Sequence, residues 1–216
     1  MIALVDFGAG NLTSVRKALA HLGADVWTPS VPGELARATA IIVPGVGHFD
    51  ATRGLTEDWR AAILMSIDHG VPLLGICVGL QWLFGGSTEA PGVPGLGIFK
   101  GTCFHFAEKE IGSIVHADER KIDPIAFPAL KVPHVGWNSL SLPRPSRLMA
   151  GVAEGTQVYF THSYAAPIVD DTVAACDYGV PFSAAVERAN VAAVQFHPEK
   201  SGDAGLRVLS NWVACA

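Results

Sequence analysis

The sequence predicts an α/β fold: an open, mostly parallel β-sheet with helices on both faces and an antiparallel β annex in the second half. Three observations carry that reading. In the first half, short and nearly continuous apolar runs alternate with helical stretches, the pattern of parallel strands buried on both faces. After residue 95 the runs shorten and are separated by prolines and glycines, the pattern of hairpins and mixed pairing. Half of the 216 residues are apolar and only 16% are charged, so there is material for one large core. A chain of this length buries roughly 70% of its unfolded surface and needs no disulfide or metal staple. The expectation is one domain over residues 1–216.

The first strand is expected over 2–6, where the run Ile2-Ala3-Leu4-Val5 ends on Asp6. Asn11 or Thr13 then caps a helix over 14–22. A second strand is expected over 24–28 and a third over 40–43, closed by Pro44-Gly45-Val46-Gly47. Residues 57–69 read as a helix, with Trp59, Ile63 and Ile67 at helical spacing. The fourth strand is expected over 71–76, and a helix-like stretch over 78–84 follows it. Further on, β-like runs occur at 97–99, 103–106, 132–137, 157–161, 182–187 and 191–196, and residues 204–213 form a closing helix.

Composition excludes several functions. A net charge of −5 without a basic stripe argues against a nucleic-acid partner. The four cysteines, Cys77, Cys103, Cys176 and Cys215, form no C-x-x-C pair and no zinc spacing, and there is no H-E-x-x-H, so no metal is expected. The start Met1-Ile2-Ala3 lacks the basic region of a secretory segment, so the cysteines read as reduced thiols of a cytoplasmic protein. Residues 70–88 carry no charge and approach membrane-spanning length, but Pro72, Gln81 and internal glycines favour a buried strand, turn and helix. Gly8-x-Gly10 after the first strand invites a dinucleotide reading. It fails because the third glycine position is Thr13 and no acidic residue ends the second strand. No cofactor is expected.

The chemistry points to Cys77. In Gly75-Ile76-Cys77-Val78-Gly79 a buried strand feeds a sharp turn with a nucleophile at its apex, and a helix follows. This is the logic of a nucleophile elbow with cysteine in place of serine. The helix N-terminus favours a thiolate, although an ordinary buried cysteine between packing glycines has the same sequence. A cysteine nucleophile needs a base, and the base needs a group to orient it. His197 ends the apolar run over 191–196 and precedes Pro198-Glu199. Proline pushes His197 toward an extended conformation, in which His197 and Glu199 share one side at the carboxyl end of a strand. Acyl transfer also needs donors for an oxyanion: the backbone N–H of Val78 is one candidate, and the Gly-flanked Val46 another.

These segments together resemble the triad (class I) glutamine amidotransferases. The elbow extended to Leu80-Gln81, the Pro44-Gly45-Val46-Gly47 turn and His197-Pro198-Glu199 carry the superfamily resemblance. Pro133-His134-Val135-Gly136-Trp137-Asn138, Tyr159-Phe160-Thr161-His162-Ser163-Tyr164 and Asp6-Phe7-Gly8-Ala9-Gly10-Asn11 resemble the glutaminase subunits of imidazole glycerol phosphate synthases. The resemblance implies a flavodoxin-like sheet and a triad of Cys77, His197 and Glu199. It also implies oxyanion donors at Val46 and Val78, and glutamine contacts at Gly45, Gly47, Gln81, Glu89, His162, Ser163 and Tyr164. It further implies ammonia delivery, within a heterodimer, to a (β/α)8-barrel cyclase subunit that forms imidazole glycerol phosphate and an aminoimidazole carboxamide ribotide in histidine biosynthesis. Asn11, Trp137, Asn138, Tyr159 and Lys200 match family positions near that partner. Residues 100–131 are longer than the family pattern and locally charged, and read as an inserted loop or hairpin. Gly85-Gly86 departs from the pattern just before Glu89. Other triad amidotransferase subunits and a free-standing cysteine hydrolase of the same fold are the alternatives.

Overall fold

A computed structural model describes residues 1–10, 12–107 and 130–216. Its centre is a seven-stranded sheet. In chain order the strands of that sheet are β1 (Ile2–Leu4), β2 (Val26–Trp27), β3 (Ala40–Gly45), β4 (Leu73–Cys77), β9 (Thr172–Asp177), β10 (Pro181–Arg188) and β11 (Val191–Val194). Their spatial order is β2-β1-β3-β4-β11-β10-β9. The first five in that order are parallel, and β10 and β9 extend the sheet antiparallel at one edge. Two small antiparallel ribbons lie apart from it: β5 (Phe104–His105) with β8 (Tyr164–Ala165), and β6 (His134–Ser139) with β7 (Gln157–His162).

Both sheet faces are covered, as the continuous apolar runs require. Ile2 and Leu4 of β1, Ala40 and Ile42 of β3 and Leu74 and Ile76 of β4 share one core with α1 (Leu12–His21) and the closing helix α4 (Gly202–Val213). The alternate residues Ala3, Val5, Ile41, Val43 and Leu73 share the other core with α2 (Glu57–Asp68) and α3 (Val78–Leu83). This two-residue alternation onto two separate cores is the pleat of a doubly covered sheet.

The expected elements are recovered with shifts of one to a few residues, and four differences have physical causes. Strand β4 runs on through Cys77 because Gly45 of β3 still pairs with it. No strand forms at 97–99, where Gly97 turns with φ 75°. Strand β9 was not expected: Thr172-Val173-Ala174-Ala175 has no polar alternation because four of its six residues are buried in succession or nearly so. Strand β11 stops at Val194 rather than reaching 196, although Gln195 N–H still donates to Ala184 O on β10 (2.8 Å). The expected insertion at 100–131, and Asn11, lie largely or wholly outside the described residues. The uncharged stretch 70–88 is β4, α3 and the turns around them, and among the described residues no helix is long and apolar enough to cross a membrane.

Candidate active site

Cys77 occupies a strained turn between β4 and α3, with φ 53° and ψ −106°, outside the comfortable range of a side-chain-bearing residue. The surrounding glycines are required by volume. A Cβ on Gly75 would stand 2.8 Å from the Gly79 carbonyl carbon, and one on Gly79 would stand 1.8 Å from the Val43 carbonyl oxygen. The chain therefore turns within the space that two missing side chains leave, and the strand-turn-helix geometry of an elbow is present. Gly45 is confined in the same way, with a Cβ there 2.8 Å from Val78 Cβ. Gly47 takes φ 117°, so the turn that carries Val46 relies on glycine for its backbone conformation.

His197 is fully buried, and its Nδ1 lies 2.9 Å from Glu199 Oε1. His197 itself is extended (φ −96°, ψ 96°), as expected before proline, but the backbone that carries Glu199 is not. Pro198–Lys200 forms a single 3-10 turn, and this turn brings the Glu199 carboxylate back onto the ring. Ser201 Oγ donates to His197 O (2.7 Å) and accepts from Tyr159 N–H (2.9 Å), while His197 N–H donates to Tyr159 O (2.9 Å). The histidine is thereby fastened to β7. Nε2 is buried and makes no hydrogen bond of ordinary geometry, but Cys77 is near enough to act on the ring. Burial alone pulls the imidazolium down. Hydrogen bonding and charge from Cys77 and Glu199 more than offset it and push the pKa of His197 up to about 10. The arrangement favours an imidazolium facing the Cys77 sulfur. The other core thiols have the opposite character: burial, with Glu89 nearby, pushes Cys103 strongly up, and burial beside Asp177 pushes Cys176 up to about 12.

Cys77 opens into a cavity of about 260 Å³. Val46, Gly47, Val78, Gln81 and Glu89 line it from the sheet side, and Pro133, Thr161, His162, Ser163 and Tyr164 from the ribbon side. Its ribbon wall is held by a hydrogen-bond chain whose direction can be worked out. The Asn138 amide can only donate from Nδ2, and it does so to His134 Nε2 (3.3 Å) and to Asp177 O (3.0 Å). His134 then carries its proton on Nδ1 and donates to His162 Nε2 (3.1 Å). His162 donates from Nδ1 to Tyr164 O (2.9 Å). Both rings are neutral in this chain, in keeping with burial that pushes His134 down to about 4 and His162 down to about 3. His134 is also stacked between Phe160 and Tyr178, at centroid distances of 4.8 and 4.0 Å.

The sequence profile of the class-I glutamine amidotransferases matches residues 3–215. The chain belongs to that family. Among its relatives, the imidazole glycerol phosphate synthase subunit HisH of Methanothermobacter thermautotrophicus is 44% identical over 214 residues, spanning 99% of this chain and 98% of the relative. The HisH of Thermococcus kodakarensis is 44% identical over 98% of each chain, and that of Deinococcus radiodurans 43% identical over 98% and 92%. Among solved structures, a glutamine amidotransferase has a TM-score of 0.68 at 18% identity, covering 100% of this chain and 98% of that one. PurLQS from Thermotoga maritima has a TM-score of 0.70 at 17% identity, covering 99% and 97%. At that identity the structures speak for the fold alone.

In this class-I amidotransferase the fold brings most of the sequence-derived residues to one place. Cys77, Val46, Gly47, Val78, Gln81, Glu89, His162, Ser163 and Tyr164 share the cavity. Gly45 lies one step behind it, paired with Cys77 in the sheet. Glu89 Oε2 accepts from Phe49 N–H (2.7 Å), which holds the carboxylate at the wall despite the preceding Gly85-Gly86. Trp137, Tyr159 and Lys200 cluster on the outside of the ribbon: the two rings meet edge-on at 6.2 Å, and Lys200 Nζ lies 5.9 Å from the Tyr159 ring centre. Asn138 is turned inward to the histidine chain instead. Sequence reasoning missed Pro133 and Thr161 on the wall, His134 behind it and Gln195 beside Cys77. A polar residue inside the otherwise apolar run 191–196 was the available signal for Gln195.

Proposed function

We propose that this chain hydrolyses glutamine to glutamate and ammonia as the glutaminase subunit of imidazole glycerol phosphate synthase, in histidine biosynthesis. The observation that carries the proposal is the strained Cys77 lining the cavity, beside a buried His197 held by Glu199. The Cys77 thiolate attacks the side-chain carbonyl carbon of glutamine. The oxyanion that forms takes the backbone N–H of Val78 and, after reorientation of the turn, that of Val46. His197 gives its proton to the leaving amine, and ammonia departs from a γ-glutamyl thioester. His197 then takes a proton from water, hydroxide attacks the thioester carbon, and glutamate leaves as Cys77 is restored. Gln81, Glu89 and the segment His162-Ser163-Tyr164 would hold the amino-acid end of the substrate.

Ammonia released into bulk water is protonated and lost as a nucleophile, so a partner at the mouth of the site is part of the reading. We assign that role to a (β/α)8-barrel cyclase subunit in a heterodimer, docked on the exposed Val135 and Trp137 of β6 beside Tyr159 and Lys200; Asn11 and Asn138 are assigned to that interface from the family resemblance alone. Val135 and Trp137 are 56% and 55% exposed, which is unusual for large apolar side chains on neighbouring outward positions of one strand. Four unpaired thiols suit a cytoplasmic location. Glutamate release from glutamine, measured with and without the cyclase subunit and its ribonucleotide ligand, tests the assignment with Cys77→Ala as control. Strong stimulation that Cys77→Ala abolishes is the outcome expected. Equal activity with and without the partner would instead indicate a free-standing hydrolase.

A further inference from the structure

We propose that Gln195 is a dedicated hydrogen-bond donor to the Cys77 sulfur, which aims the nucleophile and favours its thiolate. The inference rests on Cys77 being the nucleophile. Gln195 follows β11, whose Val194 pairs with Ile76, so the sheet register sets Gln195 beside Cys77. Its Nε2 lies 3.5 Å from Cys77 Sγ, and the side chain is fully buried.

The orientation of this amide follows from its neighbours. The Tyr164 carbonyl can only accept, so the Gln81 atom 3.0 Å from it is Nε2, a donor. The same Gln81 Nε2 lies 3.2 Å from the Gln195 amide, and the atom it meets must accept, so that atom is Oε1. The remaining Gln195 atom, the one facing Cys77, is therefore the NH₂ group. Turned the other way, two amide nitrogens would face each other and the Gln195 oxygen would face a developing thiolate. A backbone carbonyl on the pocket wall thus sets, through two side chains, the dipole presented to the sulfur.

A buried N–H directed at sulfur stabilises the charged form over the thiol. It also supplies a direction that His197 does not. The imidazole removes the proton, while the amide holds the sulfur on the cavity side of the elbow after the proton has gone. As the thioester forms, sulfur loses its charge and the bond weakens, so the donor acts on the resting nucleophile. Replacement by Met keeps the volume of Gln195 and removes the donor to sulfur, together with the oxygen that accepts from Gln81 Nε2.

The test is the pH profile of Cys77 alkylation by iodoacetamide, followed by mass spectrometry of the Cys77 peptide so that exposed Cys215 does not interfere, in the full chain and in Gln195→Met. The expected result is a profile displaced upward by about one pH unit, which is about tenfold slower alkylation at a fixed pH below the midpoint. A matching fall in glutamine turnover is expected with the cyclase subunit present. An unmoved profile overturns the inference, whatever happens to turnover, because loss of packing alone lowers activity without changing the titration. If Gln195→Met fails to fold, the side-chain amide resonances of Gln195 in the ¹⁵N-labelled full chain provide the second reading. They should move as Cys77 titrates and lose that response in Cys77→Ala; resonances indifferent to Cys77 overturn the inference. Failure of the underlying reading looks different: Cys77→Ala would then retain glutamine hydrolysis.

Discussion

The two walls of the catalytic cavity are held by different physics. On the elbow side, Gly75 and Gly79 press backbone against backbone and Gly45 presses against the Val78 and Phe7 side chains, and there is no room for one more carbon at any of the three. On the ribbon side, His134 and His162 are linked by ring hydrogen bonds to Asn138 and to the Tyr164 carbonyl, and the same ribbon exposes Trp137. A wall set by excluded volume has one geometry. A wall set by hydrogen bonds between neutral rings has a geometry that protonation, or a contact on its outer face, can bias. The first suits holding a nucleophile, and the second suits a binding surface that answers to a partner.

The largest effect separates the triad from both walls. Glu199→Gln should lower glutamine turnover by about three orders of magnitude, because an amide holds the imidazole in the wrong tautomer as readily as in the right one. Substrate affinity should change little. Steady-state kinetics check this, and a loss confined to KM would show that Glu199 shapes the wall rather than the base. Next, Gly79→Ala should cost about 3 kcal/mol or more in denaturant unfolding, since the colliding atom is backbone and cannot swing away. An unchanged unfolding midpoint would mean that the elbow wall yields, and the comparison would break there.

The ribbon should respond at the interface before it responds in stability. Trp137→Ala should leave unfolding within about 0.5 kcal/mol of the native chain. It should weaken cyclase binding by about 2 kcal/mol, roughly thirtyfold, as measured by titration calorimetry. Smaller still, His134→Phe keeps the stack between Phe160 and Tyr178 but removes the donor to His162. It should raise KM for glutamine by about tenfold, the worth of one such bond, and leave Cys77 alkylation unaltered. A KM that stays put would show that His162 is positioned by packing alone.

The most diffuse effect is on stability against pH, and its sign differs between the groups. The folded chain holds His134 and His162 neutral, with pKa values of about 4 and about 3 against an ordinary 6.5. Their contribution is intact above pH 6.5 and is lost as pH falls through 6.5 toward those values. His197 is raised to about 10, so its contribution is intact below pH 6.5 and is lost as pH rises toward 10. Thermal unfolding should therefore pass through a maximum near neutral to slightly acid pH. His134→Phe should flatten only the acid limb, and a variant that flattened the alkaline limb would contradict the assignment.

Much of the first half was legible because its signals are local. Apolar runs of strand length at β1, β3 and β4 declare burial on both faces, and the glycines around Cys77 declare a turn too tight for side chains. The motif His197-Pro198-Glu199 was legible as a pair, but the 3-10 turn that makes the pair was not, since proline before a carboxylate permits either path. Strand β9 escaped notice because burial at a sheet edge depends on what packs over it. Local pattern was enough for the sheet and the elbow, and for Cys77, His197 and Glu199 as the candidate triad. Tertiary structure alone decided that Cys77 meets His197 across the sheet, that Gln195 turns its NH₂ toward sulfur, and that two histidines share one proton direction. Those facts are contacts between residues far apart in the chain, and only the register of neighbouring strands, which no local pattern encodes, sets them.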